Sequence, residues 1–483
     1  MKNKYIEKKV LPILGILILT FIFMLISKKL IVLPYILLLI YILSDKKYYI
    51  SPMFYLIIPW SFMFVVYFLE LVVYNQGNTS IEAIMYLIIG NILVIIGYYT
   101  GKKIEVKRDL NLYYERETTN NDKAISIINI IALFGIIGSM LFIIEMVFVV
   151  GINSTTSSAD IRHMFVNRQA TILSQLGNII SWGSLVALSS VILLWSKIDK
   201  KEKVLWLTSA LIYCGYSVLS SGRQIVFQVI LVTISSIGIK NYSEYKNKCK
   251  EKVKNKRINR ILTIVIVSMG ILYCLNIASS RNDGNISDSK KVVLEYYFDC
   301  EFDKSIENFI NNMPDNLRDG ISEAIVYFTH QISGFTTYWN IDDSIGPFYG
   351  LYSRPFIDRR VASIGLTEYS VEEKMNYVRN YMKSQGAMNV GWKTSFSFYI
   401  LDYGRFGGLL YCLLIGILAG KIIFIYLRRK SIFSALLLIR INIEMFYTIM
   451  FPASAETGLL LMGIFSLLMV VLENKDSKLY LKI

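Results

Sequence analysis

Of 483 residues, 54% are hydrophobic and only 18% are charged, a balance outside the range of soluble globular domains. Five scattered cysteines, with no C-x-x-C pair, give neither a disulfide framework nor a metal site. The formal charge of +15 is confined to a few short stretches between apolar runs, so lipid headgroups are the expected partner and nucleic acid is not.

The apolar runs fall, in chain order, at 10–27, 30–43, 54–74, 82–100, 125–150, 172–195, 204–221, 223–239 and 261–278, then at 396–424, 432–451 and 457–472. Most approach the ~20 residues that a helix needs to cross a hydrocarbon core. The first is followed after only "KK" by the second and lacks a small-x-small cleavage site, so it reads as a span and not a signal peptide. The expectation is an all-α, polytopic integral membrane protein of about twelve transmembrane helices.

Charge sets the orientation. Residues 240–260 carry nine basic against two acidic residues, 196–203 carry four against two, and "RRK" closes the tenth run at 428–430. Basic loops stay in the cytoplasm, which places both termini there as well. The segment 279–395 then lies outside, and its balance is reversed, with twelve Lys and Arg against sixteen Asp and Glu. Its aromatics ("EYYFDCEF", "PFYGLYSRPF") and the helical spacing of "DKSIENFI" and "VEEKMNYVRNYMKS" predict an ordered cap. Three parts follow: helices one to nine over 1–278, the extracytoplasmic cap segment over 279–395, and helices ten to twelve with a cytoplasmic tail over 396–483. Thirty-three tyrosines suit either a sugar-lined groove or an aromatic belt at the membrane interface.

Arg223 stands in a tight "SSGR" turn between two apolar runs and Arg281 directly follows the ninth run. Each either snorkels to lipid phosphates or points over a polar cavity, where two guanidinium forks at one depth would suit a diphosphate. "LYSRPFIDRR" gathers Arg354, Arg359 and Arg360 around Asp358. His330 and His163 are the two histidines, both on predicted outer segments. An outward histidine can serve as a general base near neutral pH or be merely structural. Tyr327, Gln331 and Tyr352 are candidate sugar contacts. Arg440 and Glu444, four residues apart, neutralise one another on one helical face and lock a buried helix. Glu70, Asn91 and Glu145 are the polar groups that a proton-coupled transporter would use.

The stretch "NVGWKTSFSFYILDYGRFGGLLYCLLIG", the S-G-R turn and the large outer segment before the last helices together resemble the bacterial oligosaccharide repeat-unit polymerases, the Wzy group of O-antigen and capsule polymerases. The family's N…T…D-F/Y-G…G pattern corresponds to Asn389, Thr394, Asp402, Tyr403, Gly404, Gly407 and Gly408. "SPMFYLIIPWSFMFVVYFL" at 51–69 is similar to the family's early Pro- and Trp-bearing helix.

The resemblance implies a glycosyltransferase in the bacterial cytoplasmic membrane with its active site facing outward. It would move a growing chain from undecaprenyl diphosphate onto the terminal sugar of an incoming lipid-linked repeat unit. The leaving diphosphate lipid drives the reaction, so no cofactor is implied. Membrane lipids and lipid-linked oligosaccharides are the expected partners, with a chain-length regulator and a flippase of the same pathway. Arg223, Arg281, Arg354, Arg359 and Arg360 would hold diphosphate, and His330 would be the base, with Asp402 as second choice. Tyr327, Gln331, Tyr352 and Asn389 would contact sugar. A polysaccharide ligase using the same donor, a lipid-linked sugar transporter and a non-catalytic assembly protein are the competing readings. Loss of a polymerase leaves single repeats on lipid, whereas loss of a ligase leaves finished polymer there.

Overall fold

The computed structural model describes residues 26–44, 49–74, 80–107, 122–153, 171–220, 222–246, 300–340, 346–367 and 394–475, with parts of 12–23 and isolated positions elsewhere. Arg281, Asn389 and His163 lie outside the described residues, as do parts of the run at 10–27 and most of the run at 261–278 and of "VEEKMNYVRNYMKS".

In chain order the helices are α1 (Val32–Ser44), α2 (Pro52–Phe68), α3 (Ile81–Lys107), α4 (Asp122–Ile144), α5 (Ile172–Ile180), α6 (Gly183–Leu194), α7 (Lys200–Leu219) and α8 (Arg223–Lys246). They continue with α9 (Lys304–Asn311), α10 (Asp315–Trp339), α11 (Pro355–Ser363), α12 (Ser395–Arg429), α13 (Ile432–Tyr447) and α14 (Thr457–Lys475). Among the described residues there is also a two-stranded antiparallel ladder of β1 (Val72–Tyr74) and β2 (Cys300–Phe302), with Val73 opposite Glu301. By length and composition, five described stretches can cross a bilayer: Ile81–Lys103, Lys123–Val149, Ile172–Leu194, Arg223–Ser243 and Ser395–Arg429. Lys29–Ser44, Pro52–Phe68 and Thr457–Glu473 are apolar but shorter.

The chain forms two compact units that interleave along the sequence. One takes Met1–Arg108, Ser287–Ile423 and Glu444–Glu456, and the other takes Asp109–Ile286, Phe424–Ile443 and Thr457–Ile483.

In the first unit, Ser51 caps α2 by accepting from the Met53 N–H, with Pro52 at the first helical position where its missing N–H costs nothing. α3 and α12 meet at very short range. A Cβ on Gly97 or Gly101 would strike the carbonyls of Leu413 and Ile417, and one on Gly416 or Gly420 those of Val94 and Tyr98. This reciprocal small-xxx-small contact lets backbones touch where leucines would hold them apart. α10 packs on α2 through Phe62 and Phe328, and on α3 through Tyr86 and Phe335. The described part of the 279–395 segment therefore packs on apolar helices inside one unit. The ladder closes over a small core of Val72, Leu294, Cys300, Phe302, Ile310 and Val326, and α9, predicted from "DKSIENFI", is capped by Asp303 accepting from the Ser305 N–H.

The second unit is built around α4, which packs on α5 to α7. Trp206 donates to the side chain of Asn129, and the Ser184 and Ser209 hydroxyls pair in the interior. Opposite this core Ile130, Leu133, Phe134, Ile137 and Met140 stay exposed at helical spacing. Such an uncovered stripe is rare on a water-facing helix.

Candidate functional site

The best-built polar group in the first unit begins with a break in α12. Gly404 has φ 71° and ψ 173°, a backbone region open essentially to glycine alone, and it interrupts the helix nine residues after its start. The carbonyl of Arg405, just past the break, accepts from the Tyr86 hydroxyl at 2.8 Å. The missing Cβ at Gly408 leaves the room that this hydroxyl occupies. The Arg405 guanidinium lies over the Trp339 ring at 4.6 Å and donates to the Trp339 carbonyl at 2.9 Å, tying α12 to the end of α10.

Just before the break, Asp402 is fully buried. Its two carboxylate oxygens accept the backbone N–H groups of Tyr352 at 2.9 Å and Ser353 at 3.0 Å. The carbonyls of Leu401 and Asp402 accept from Phe348 and Tyr349. The loop 346–354 is thus stitched along one turn of α12. Hydrogen bonds to a charged acceptor contribute about 1.5–3 kcal/mol each, which offsets part of the cost of burying the carboxylate.

The loop delivers Arg354. Its Nη1 donates to the Gly350 carbonyl at 2.9 Å and, at 3.3 Å each, to the Ser353 and Tyr403 hydroxyls; its Nη2 donates to the Tyr411 hydroxyl at 2.9 Å. The Tyr403 and Tyr411 rings stack at 4.9 Å. Every one of these partners is a neutral oxygen. Half-burial opposes the charge, but the oxygens of Tyr411 and Tyr403 and the Asp402 carboxylate outweigh it and hold the guanidinium above its ordinary pKa. Gly350, at φ 87°, is required here: a Cβ would stand 2.7 Å from the Tyr403 hydroxyl and 2.8 Å from Arg354 Nη1.

The arginines of "SRPFIDRR" do not form one cluster. Arg354 turns inward, Asp358 is buried and accepts the Val371 N–H at 2.8 Å, and Arg359 and Arg360 are exposed, Arg360 lying over the Phe356 ring. Nor is the Tyr352 ring open to a sugar in this structure. It is buried in a core with Tyr338, Phe348, Val371, Val378 and Leu401.

His330 lies on α10, half-buried, its ring edge-on to Phe298 at 4.6 Å and tilted to Tyr74 at 5.9 Å. Tyr327 is half-buried beside Phe298, and Gln331 is buried. Tyr338, which shares the core of Tyr352 and Leu401, is eight residues further along α10, about 12 Å at 1.5 Å per residue. His330 and Tyr338, which packs with Tyr352 of the Arg354 loop, are therefore separate positions along α10.

Comparison with known proteins adds no relative. No family model, curated protein or solved structure matches the chain.

Arg223 belongs to the second unit, as the first residue of α8. The turn before it is closed by serines: the Ser217 hydroxyl donates to the Gly222 carbonyl, the Gly222 N–H to the Ser217 carbonyl at 2.9 Å, and the Ser220 hydroxyl to the same carbonyl at 3.0 Å. Further along α8, Gln228 accepts from the Tyr213 hydroxyl. Of the polar groups that a transporter would use, Glu145 opens a π-helical turn and is buried as the acceptor of the Thr171 hydroxyl, Asn91 is buried and donates to the Leu87 carbonyl, and exposed Glu70 pairs with Lys29. Arg440 is buried, its Nε donating to the Leu459 carbonyl. Among the described residues no group of three His, Cys, Asp or Glu side chains could hold a metal.

Sequence reasoning missed Tyr411, Tyr86 and Trp339. Tyr411 lies one turn past "LDYGRFGG" and Tyr86 inside an apolar run, so only the break at Gly404 brings their hydroxyls to the site.

Proposed function

We propose that the chain is a repeat-unit polymerase: a twelve-span protein of the bacterial cytoplasmic membrane that transfers a growing polysaccharide from undecaprenyl diphosphate to the terminal sugar of an incoming lipid-linked unit on the outer face. The observation that carries this reading is Arg354. It is a half-buried guanidinium at the head of a membrane-length helix, its hydrogen bonds made to four neutral oxygens and the Asp402 carboxylate acting on its charge from nearby. Such a fixed fork matches diphosphate oxygens, where charge develops as the lipid leaves.

In this reading Asp402 is a positioning residue, because both its oxygens are engaged by the loop it anchors. His330 is the base for the acceptor hydroxyl, with Tyr327 and Gln331 beside it for sugar. Arg223 and Arg281 are further candidate contacts for diphosphate. The acceptor loses its proton to His330, the glycosyl–oxygen bond to the diphosphate breaks as the new glycosidic bond forms, and the diphosphate departs against arginine.

The test is the lipid-linked product made by cells that carry Arg354→Ala in place of the native chain. Losing a desolvated charge contact costs about 2–5 kcal/mol, which is more than tenfold in rate. Single repeats should accumulate on lipid, and Arg354→Lys should restore only part of the polymer per amount of inserted protein. Finished polymer left on lipid would establish a ligase, and repeats trapped on the cytoplasmic face a transporter.

A further inference from the structure

α11 hangs from α12 through Arg354, the residue that caps its start, and presents an outward face of mixed chemistry. Arg359 and Arg360 are exposed on it, Arg360 over Phe356. Asp358, the one acid in 355–366, is turned inward onto the Val371 N–H, so its carboxylate does not share the outward face. Past the helix Ile364 and Leu366 are 70% and 72% exposed. They are held there by structure. Gly365 takes φ 73° and donates to the Ala362 carbonyl, while the Leu366 N–H returns to the Val361 carbonyl, the paired bonds of a Schellman turn. Such a turn ordinarily lays its last apolar side chain back on the helix, yet here Leu366 remains open.

The neighbouring surface indicates what covers this face. On α12, Phe406 is 83% exposed and heads a row of exposed Leu410, Leu414 and Leu418 at four-residue spacing. Tyr411, which binds Arg354, is five residues past Phe406, about 7 Å further along the helix. The start of α11 is therefore level with the upper part of that apolar row.

We propose that the outward face of α11 and the Ile364–Leu366 turn dock on the bilayer leaflet around the start of α12, with Ile364 and Leu366 entering the acyl boundary and Arg359 and Arg360 meeting lipid phosphates. This is the arrangement of an interfacial helix, with apolar side chains a few ångströms below the headgroups and guanidinium groups reaching up to them. It assigns Arg359 and Arg360 to the lipid surface instead of the substrate diphosphate. It rests on the reading that α12 crosses the bilayer.

The test uses the whole chain in nanodiscs of mixed phosphatidylglycerol and phosphatidylcholine, with or without bromine on the upper acyl carbons. A tryptophan is added to the native six by Leu366→Trp, by Phe406→Trp, or by Glu301→Trp on the exposed side of β2. Bromine quenches only what touches the acyl region. The added emission at 366 and at 406 should fall about twofold, the depth expected of an interfacial anchor, while that at 301 is unchanged. Replacing Arg359 and Arg360 with serine should reduce the quenching at 366, and free inorganic phosphate should not alter it. Quenching at 406 with none at 366 would overturn the docking and leave the crossing of α12 intact. No quenching at either site would overturn both.

Discussion

Arg354 and Arg223 both stand at the start of a helix, but the segments that lead into them are held by different means. The 346–354 loop is bonded to a distant element: Asp402 and Tyr403, some fifty residues on in the chain, and Tyr411 fix its backbone and the arginine itself. The turn before Arg223 is closed locally by Ser217 and Ser220, within six residues. A locally closed turn survives a change in its surroundings. A loop stitched to a kinked helix depends on the kink, the carboxylate and the glycine that clears the arginine, so damage to any one of them reaches the others.

The largest effect expected from this contrast is at Asp402. Asp402→Ala leaves two buried N–H groups without acceptors, at about 1–3 kcal/mol each. Thermal unfolding of the purified protein should move down by the equivalent of about 2–6 kcal/mol, and polymer should disappear with the fold. A variant that melted like the parent would show that the loop does not depend on the carboxylate.

Arg223 gives the opposite pattern. Arg223→Ala should leave folding and insertion intact while chain growth falls more than tenfold, the consequence of losing about 2–5 kcal/mol of a charge contact. Arg223→Lys should recover part of it, because an ammonium lacks the guanidinium fork. Near-normal polymer from Arg223→Ala would reduce this arginine to a lipid anchor.

The glycines give the smallest and cleanest comparison. Gly350→Ala must accept a left-handed φ and displace either the Tyr403 hydroxyl or Arg354, at a cost of about 1–3 kcal/mol. Gly222→Ala would meet mainly the Ser220 hydroxyl, which can turn aside at the loss of its one bond to the Ser217 carbonyl, and should cost no more than about 1 kcal/mol. Equal melting shifts for the two would erase the distinction between a stitched loop and a self-closed turn.

The membrane-length helices were legible in the sequence because apolar length is a one-dimensional property. α3, α4 with its π turn, α5 to α8 and α12 lie where the runs at 82–100, 125–150, 172–195, 204–221, 223–239 and 396–424 predict helix. α9 was legible for the same kind of reason, from its spacing and its Asp303 cap. The ladder of β1 with β2 was not, since three-residue strands more than two hundred residues apart leave no local period. The motif residues Asp402, Tyr403, Gly404 and Gly408 stood out by type, but their work did not.

Composition and periodicity by themselves determined that this protein is built from long apolar helices, that its basic residues gather in a few connections, and that one long acidic-leaning segment interrupts them. Tertiary structure decided which arginine is held and which is exposed. Arg354, Arg359 and Arg360 stand within seven residues of one another, and nothing local tells them apart. The difference arises because Gly404 breaks α12, Asp402 then meets the loop backbone, and the loop aims a single guanidinium at Tyr403 and Tyr411. Those contacts join positions far apart in the chain, and only the folded backbone brings their donors and acceptors within 3 Å or so of one another.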